Sequence, residues 1–196
     1  PKEIIRACQL MEPTFGGINL EDIRAPDCFI IEEELRRTMK IPVFHDDQHG
    51  TAIISGAALL NALILVNKRI EDVKLVFNGA GASSISCAGH ASKLGANPEN
   101  VIMCDTRGVI YKGRTSGMNE FKETLAQETP LRTLAEAVKG SDVLVGLAVQ
   151  DAFTPEMIAA SAPTAIAFAM ANPDQEVPPA TSPAVRHAPP MARRPG

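Results

Sequence analysis

The run Val73-Lys74-Leu75-Val76-Phe77-Asn78-Gly79-Ala80-Gly81-Ala82-Ser83-Ser84 decides the fold. Its first half is apolar and reads as a buried strand. It passes without a gap into Gly79-x-Gly81 and then into a helical pattern over roughly 82–94. Gly95 closes that helix, just past its end, where glycine is favoured. Strand, glycine turn and helix start together form a cradle for phosphate. The first glycine allows the tight turn and the second lets backbone approach a pyrophosphate. The helix N-terminus supplies free N–H donors and a partial positive charge. On this reading Gly79, Ala80, Gly81, Ala82 and Ser83 face a dinucleotide. Ser84 takes the third position of the fingerprint, where Gly or Ala is usual, which weakens the match without excluding it.

The context supplies what the glycines alone lack. Val101-Ile102-Met103-Cys104 reads as a second strand and ends in Asp105, 26 positions after Gly79. An acid there takes the ribose hydroxyls of the adenosine half. Thr106, Arg107 and Lys112 can offset its charge and hold a 2′-phosphate, so NAD and NADP both stay open. Further along, Thr133-Leu134-Ala135-Glu136 has the form of a capping box, and Gly140 closes that helix. Asp142 to Leu147 reads as a strand, Thr154-Pro155-Glu156 as a helix start, and Thr164 to Met170 as a last strand. Strand and helix alternate from 73 to 172, which predicts an α/β, Rossmann-type, doubly wound parallel sheet.

Upstream lies a second organising stretch, Ile41-Pro42-Val43-Phe44-His45-Asp46-Asp47-Gln48-His49-Gly50-Thr51. A short apolar strand ends in two carboxylates, and Glu21-Asp22 ends another apolar run at 15–20. One Asp is readily explained as a helix N-cap. Acids at two strand ends make sense around a cation, and an all-oxygen donor set suits Mg²⁺ or Mn²⁺. His45 and His49 read as ligands or as hydrogen-bonded orienters. Helices are expected over 2–11, 32–39 and 119–127. Residues 51–66 should form a helix apolar almost all round, and therefore buried.

Composition narrows the class. The chain has 196 residues, 45% of them hydrophobic, and a net charge of −4 without a basic stripe, which argues against nucleic-acid binding. No uninterrupted apolar run reaches the roughly 18–20 residues of a membrane span, since Asn61 interrupts the longest, so no membrane partner is expected. The four cysteines are scattered, as in reduced cytoplasmic proteins. No G-x-x-x-x-G-K loop is present, which ranks phosphoryl transfer low.

Several separated motifs resemble those of the bacterial malic enzymes. They are Pro13-Thr14-Phe15-Gly16-Gly17-Ile18-Asn19-Leu20-Glu21-Asp22-Ile23, Phe44 to Ala52, Gly79-Ala80-Gly81-Ala82, Asp105-Thr106-Arg107-Gly108-Val109-Ile110 and Phe168-Ala169-Met170-Ala171-Asn172-Pro173. The resemblance spans about residues 4–176. It implies divalent-metal-dependent oxidative decarboxylation of (S)-malate to pyruvate and CO₂, with reduction of NAD or NADP. It implies Glu21, Asp22 and Asp47 as metal ligands and Asp46 as the carboxylate that assists a lysine base. Asn172 is implied near the substrate carboxylate and the nicotinamide. A homo-oligomer is implied as well.

The same resemblance implies that the family's tyrosine acid and lysine base precede the first metal motif, and that a substrate asparagine pair follows Asn172. The chain is therefore expected to be truncated, with residues 1–50 a remnant of the substrate and metal domain. Residues 51–176 form the expected cofactor domain, and 177–196 an expected disordered Pro/Arg-rich tail. Val149-Gln150-Asp151 departs from the family pattern. The competing reading is a non-catalytic NAD(P)-binding module.

Overall fold

The computed structural model describes residues 1–148 and 152–171 and the backbone of 186–187. Its first elements are α1 (Lys2–Met11), β1 (Ile18–Leu20), α2 (Asp27–Thr38) and β2 (Val43–His45). β1 and β2 pair in parallel, with Leu20 opposite His45, and α2 is the crossover between them. Cys8, Leu20, Ile31, Leu35 and Met39 form the small core of this unit. The helix begins at Asp27 and not near residue 32, since the apolar run Cys28-Phe29-Ile30-Ile31 also belongs to it.

The chain then builds α3 (Thr51–Val66), β3 (Leu75–Asn78), α4 (Ala82–Lys93), β4 (Val101–Asp105), β5 (Gly108–Val109), α5 (Glu120–Glu123), α6 (Leu134–Val138), β6 (Val143–Gly146), α7 (Pro155–Ala160), β7 (Ile166–Ala169) and β8 (Arg186–His187). The large sheet has the order β5-β4-β3-β6-β7-β8. β4 and β5 are antiparallel and the other neighbours parallel. Every residue of β3 and β6 is buried, because helices cover both faces. Side chains alternate between two cores. Leu75, Phe77, Met103, Val145 and Phe168 meet Ala52, Leu59, Cys87 and Ala91 of α3 and α4. Val76, Ile102, Cys104, Leu144 and Ala167 face the other way, onto Ala137, Val138 and Ile158 of α6 and α7. This is the doubly wound arrangement the alternation predicts.

The caps are those the sequence announces. Thr133 and Glu136 form the reciprocal capping box, and Thr154 accepts from the Met157 N–H. The start of β6 is tied back to β3, since Asp142 accepts from Lys68 Nζ at 2.7 Å and from the Lys74 N–H at 2.9 Å.

Two further expectations are corrected, those for the helix over 119–127 and for α3. The helix over 119–127 shrinks to Glu120–Glu123. The tail lies outside the described residues except for Arg186–His187, which pair with Ile166 and Ala167 as an edge strand. α3 is not buried all round: Ala52, Gly56, Leu59 and Leu63 are covered, whereas Ile53, Ile54, Leu60, Ile64 and Leu65 are exposed. With the preceding turn, the helical segment Asp46–Val66 runs for 21 residues at mean hydropathy 1.7. By length and composition it is sufficient to cross a bilayer, which the run broken at Asn61 did not suggest.

The two glycines after β3 differ physically. Gly79 sits at φ +123°, and a Cβ there would lie 2.9 Å from the Leu147 carbonyl oxygen, whereas a Cβ at Gly81 would meet nothing within 4 Å. Gly79→Ala is therefore expected to lower stability by more than about 1 kcal/mol. Gly81→Ala should stay within about 0.5 kcal/mol of the parent. Urea unfolding of both variants measures the contrast.

Candidate cofactor and metal site

β3 is the point where the winding of the sheet reverses: the chain leaves it toward β4 on one side and returns to β6 on the other. In such sheets ligands bind in the crevice beyond the strand ends at this place. The turn is held from both neighbours. Gly79 N–H donates to the Cys104 carbonyl at 2.9 Å, and Leu147 N–H donates to the Asn78 carbonyl at 2.9 Å. Gly81 is the N-cap of α4, in extended conformation and without a side-chain cap. The first amides of α4 therefore face the open space beside Gly81, where a pyrophosphate can reach them. Ala80, Ala82 and Ser83 line this turn and are only partly buried. Ser84 is buried, and its hydroxyl has no hydrogen-bond partner among the described residues. A Gly or Ala there would leave no orphaned donor, which is the physical cost of this departure from the fingerprint.

At the end of β4 the structure changes the reading of Asp105. Its carboxylate accepts two bonds from Arg114 Nη2 at 2.8 and 2.7 Å, one from Lys122 Nζ at 2.8 Å and one from the Arg107 N–H at 2.9 Å. A carboxylate offers about four acceptor sites. All are met by partners within the chain. The side chain is 10% exposed and that of Arg114 5%. Arg114 also donates to the carbonyls of Val109 and Ser116. Burial pushes the Asp105 carboxyl up, but Lys122, Arg114 and the Arg107 amide outweigh it and hold the group below the usual carboxylate range. Arg107 is exposed at this edge, bonded to the Ser116 hydroxyl. The sequence reading chose Lys112 and missed Arg114 and Lys122. Nothing in their spacing marked them, since the fold of the loop brings them back to Asp105.

The acids of the small sheet converge because their strands are parallel and in register. Glu21 and Asp22 follow Leu20, Asp46 and Asp47 follow His45, and these two residues are opposite each other. Asp22 turns the chain at φ +57° and its N–H donates to Asp47 Oδ2 at 2.8 Å. Asp46–Gly50 form a single π-helical turn that runs into α3 and packs on α4. No side chain caps α3, so neither Asp is its N-cap group. Among the described residues no three His, Cys, Asp or Glu side chains are gathered closely enough to hold a metal. The structure thus joins Asp22 and Asp47 and leaves Glu21 exposed outside a formed cluster. The donor chemistry nonetheless fits Mg²⁺, which is commonly held by one or two carboxylates with water and substrate oxygens completing the shell.

The two histidines part company. His49 Nε2 lies 2.6 Å from Glu32 Oε1, the orienting bond expected of it. His45 is fully buried and neither ring nitrogen has a partner among the described residues, so it orients nothing there. Asn172 and Val149-Gln150-Asp151 lie outside the described residues. Tyr111 is covered by the Arg132 guanidinium, 3.8 Å from its ring centre, and Lys68 is spent on Asp142.

The family model of the malic enzyme NAD-binding domain matches residues 48–188. The chain belongs to the malic enzyme family. It is 56% identical over 177 residues to the NADP-dependent malic enzyme of Rhizobium meliloti, covering 90% of this chain and 23% of that protein. It is 49% identical over 176 residues to the NAD-dependent malic enzyme of the same organism, again covering 90% and 23%. A crystal structure of the NAD-dependent malic enzyme of Thermotoga maritima superposes with TM-score 0.88 at 37% identity, covering 95% of this chain and 52% of that one. This malic enzyme chain thus spans about a quarter of the length of these curated relatives.

The depressed Asp105 carboxyl contributes stability that is present above its unfolded value near 4 and is lost as the pH falls through its lower folded value. Asp105→Asn leaves two cations facing a neutral amide and should cost about 3 kcal/mol at pH 7. The gap between parent and variant should begin to narrow near pH 4, where the unfolded carboxylate protonates, and close only below the lower folded value. Urea titrations at pH 7 and pH 3 measure it.

Proposed function

We propose that the malic enzyme to which this chain belongs converts (S)-malate and NAD(P)⁺ to pyruvate, CO₂ and NAD(P)H, and that these residues supply its cofactor cradle and part of its metal site. The observation that carries this reading is the uncapped start of α4 at Gly81, open at the sheet's reversal point and adjoined by the turn bearing Asp46 and Asp47.

In this reading the first amides of α4 hold the pyrophosphate and the partly buried Ala80, Ala82 and Ser83 shape the cradle. Asp22 and Asp47 would hold a divalent ion, with Glu21 the third ligand that the family resemblance implies. A bound Mg²⁺ or Mn²⁺ supplies Lewis acidity to the 2-keto acid as CO₂ departs. Asp46 assists the base, and Asn172 orients the substrate carboxylate beside the nicotinamide. (S)-Malate loses hydride from C2 to the cofactor and its hydroxyl proton to the base, and the resulting keto acid loses CO₂ and takes up a proton at C3. Cys87, pushed up to about 11 by burial, and Cys104, pushed up to about 12, are thiols with no nucleophilic part in this chemistry. Their buried, unbonded state, shared by Cys8 and Cys28, supports a reducing, cytoplasmic setting. Homo-oligomeric assembly is carried over from the family.

Of the two cofactors we favour NADP. Asp105 is the acid that would repel a 2′-phosphate, and Arg114, Lys122 and the Arg107 amide already neutralise it. The exposed Arg107 guanidinium stands at the same edge.

Titration calorimetry on the folded chain tests the cradle and the preference together. NADP⁺ should bind more tightly than NAD⁺. Gly81→Leu should abolish binding of both without changing the unfolding midpoint. Lys122→Gln should cost NADP⁺ about tenfold, the worth of a charge-assisted bond, and spare NAD⁺. No binding of either nucleotide to the folded parent would sink the assignment. Nucleotide binding without NADPH formation from malate in the full-length protein would favour the non-catalytic module.

A further inference from the structure

We propose that Glu32, on the crossover helix α2, is a positioning residue for the divalent cation, acting through the turn that carries Asp46 and Asp47. The proposal rests on the metal reading above and names a residue outside the acidic motifs. Glu32 is 6% exposed although it is a carboxylate. A buried carboxylate is costly unless hydrogen-bonded on both oxygens. Here both are satisfied, and by adjacent residues of one turn. His49 Nε2 meets Oε1 at 2.6 Å, and Gln48 Nε2 donates to Oε2 at 3.2 Å. Arg36, one turn later on α2, stands 3.8 Å from Oε1, but its side chain is 61% exposed. The pairing is therefore mainly with the turn.

The geometry explains what the bonds achieve. Two successive side chains, Gln48 and His49, are drawn to one point on α2. That fixes the Asp46–Gly50 segment as a wide π-helical turn in place of a regular helix start. Asp46 and Asp47, immediately before this anchored pair, are left on the side of β1, where Asp47 Oδ2 accepts from the Asp22 N–H at 2.8 Å. The carboxylate of Asp46 folds back over Gly50, at the place a Cβ would occupy. Phe44 backs the His49 ring, their centres 5.6 Å apart. Glu32 thus holds the turn at Gln48 and His49, while Asp47 meets the end of β1 at the Asp22 N–H. Partners that orient a ligand in this way change metal affinity about 10–100-fold when removed.

The test is Mn²⁺ titration of the folded chain, reading free Mn²⁺ by electron paramagnetic resonance, with NADP⁺ affinity measured on the same samples. Asp47→Ala is the control and should abolish or greatly weaken Mn²⁺ binding. Glu32→Gln should weaken Mn²⁺ at least about tenfold and leave NADP⁺ affinity unchanged. His49→Gln, which removes the partner from the other side, should weaken it similarly, and the double variant should be no worse than either single one. That non-additivity is a readout which loose packing alone would not give. It also keeps the test open if one variant folds poorly. If Asp47→Ala weakens Mn²⁺ and both Glu32→Gln and His49→Gln bind it like the parent, the positioning role is wrong and the metal assignment stands. Additive losses in the double variant likewise overturn the role. If Asp47→Ala itself leaves Mn²⁺ unchanged, the metal assignment fails and this proposal with it.

Discussion

β3 has no free side. β4 and β6 hydrogen-bond to its two edges, and α3 with α4 on one face and α6 with α7 on the other cover its side chains. A strand enclosed in this way can meet solvent only at its ends. The chain leaves its C-terminal end toward β4, and the segment that returns to β6 must start again on the opposite side. No connection can fill the gap between the two departures. The crevice at Gly79 follows from the winding of the sheet before any side chain is considered. The glycine follows from the crevice: with the Leu147 carbonyl against it and φ positive, a side chain has nowhere to go.

Two carboxylates, Asp105 at the end of β4 and Glu32 within α2, show how the protein treats charge near this crevice. Asp105 is paired with full cations, Arg114 and Lys122. That arrangement neutralises the acid and leaves the field at this edge of the sheet positive. Glu32 is matched by a ring nitrogen and an amide of the acidic turn. Arg36 stands farther off, 3.8 Å from the same carboxylate and largely exposed, so the turn is held mainly through Gln48 and His49.

The central strands were legible because burial on both faces leaves a plain mark, a short apolar run bounded by glycines and acids. Thr133, Glu136 and Thr154 marked helix starts by chemistry that acts over three residues. Glu21-Asp22 and Asp46-Asp47 could be read as converging because strand ends in a parallel pair share an edge. What could not be read was any interaction set by a loop's path. Arg114 and Lys122 reach Asp105 only because the chain beyond β5 doubles back. Glu32 appeared as one more charge on a surface helix, since sequence gives its spacing but not which face α2 turns toward β2.

α3 fails differently, and its failure separates two questions. The helix is apolar on nearly every face, and apolar surface gains from leaving water at roughly 25 cal/mol per Å². That energetic preference is a property of the residues, and the sequence states it correctly. Whether it is met is a property of the neighbours. Gly56 allows close approach to His90 and Leu94 of α4, and the Ala52, Leu59 and Leu63 stripe is satisfied there. Ile53, Ile54, Ile64 and Leu65 face away from α4 and the sheet. Composition therefore fixes how much of a helix seeks cover. Only the arrangement of elements decides how much of it finds cover within these residues.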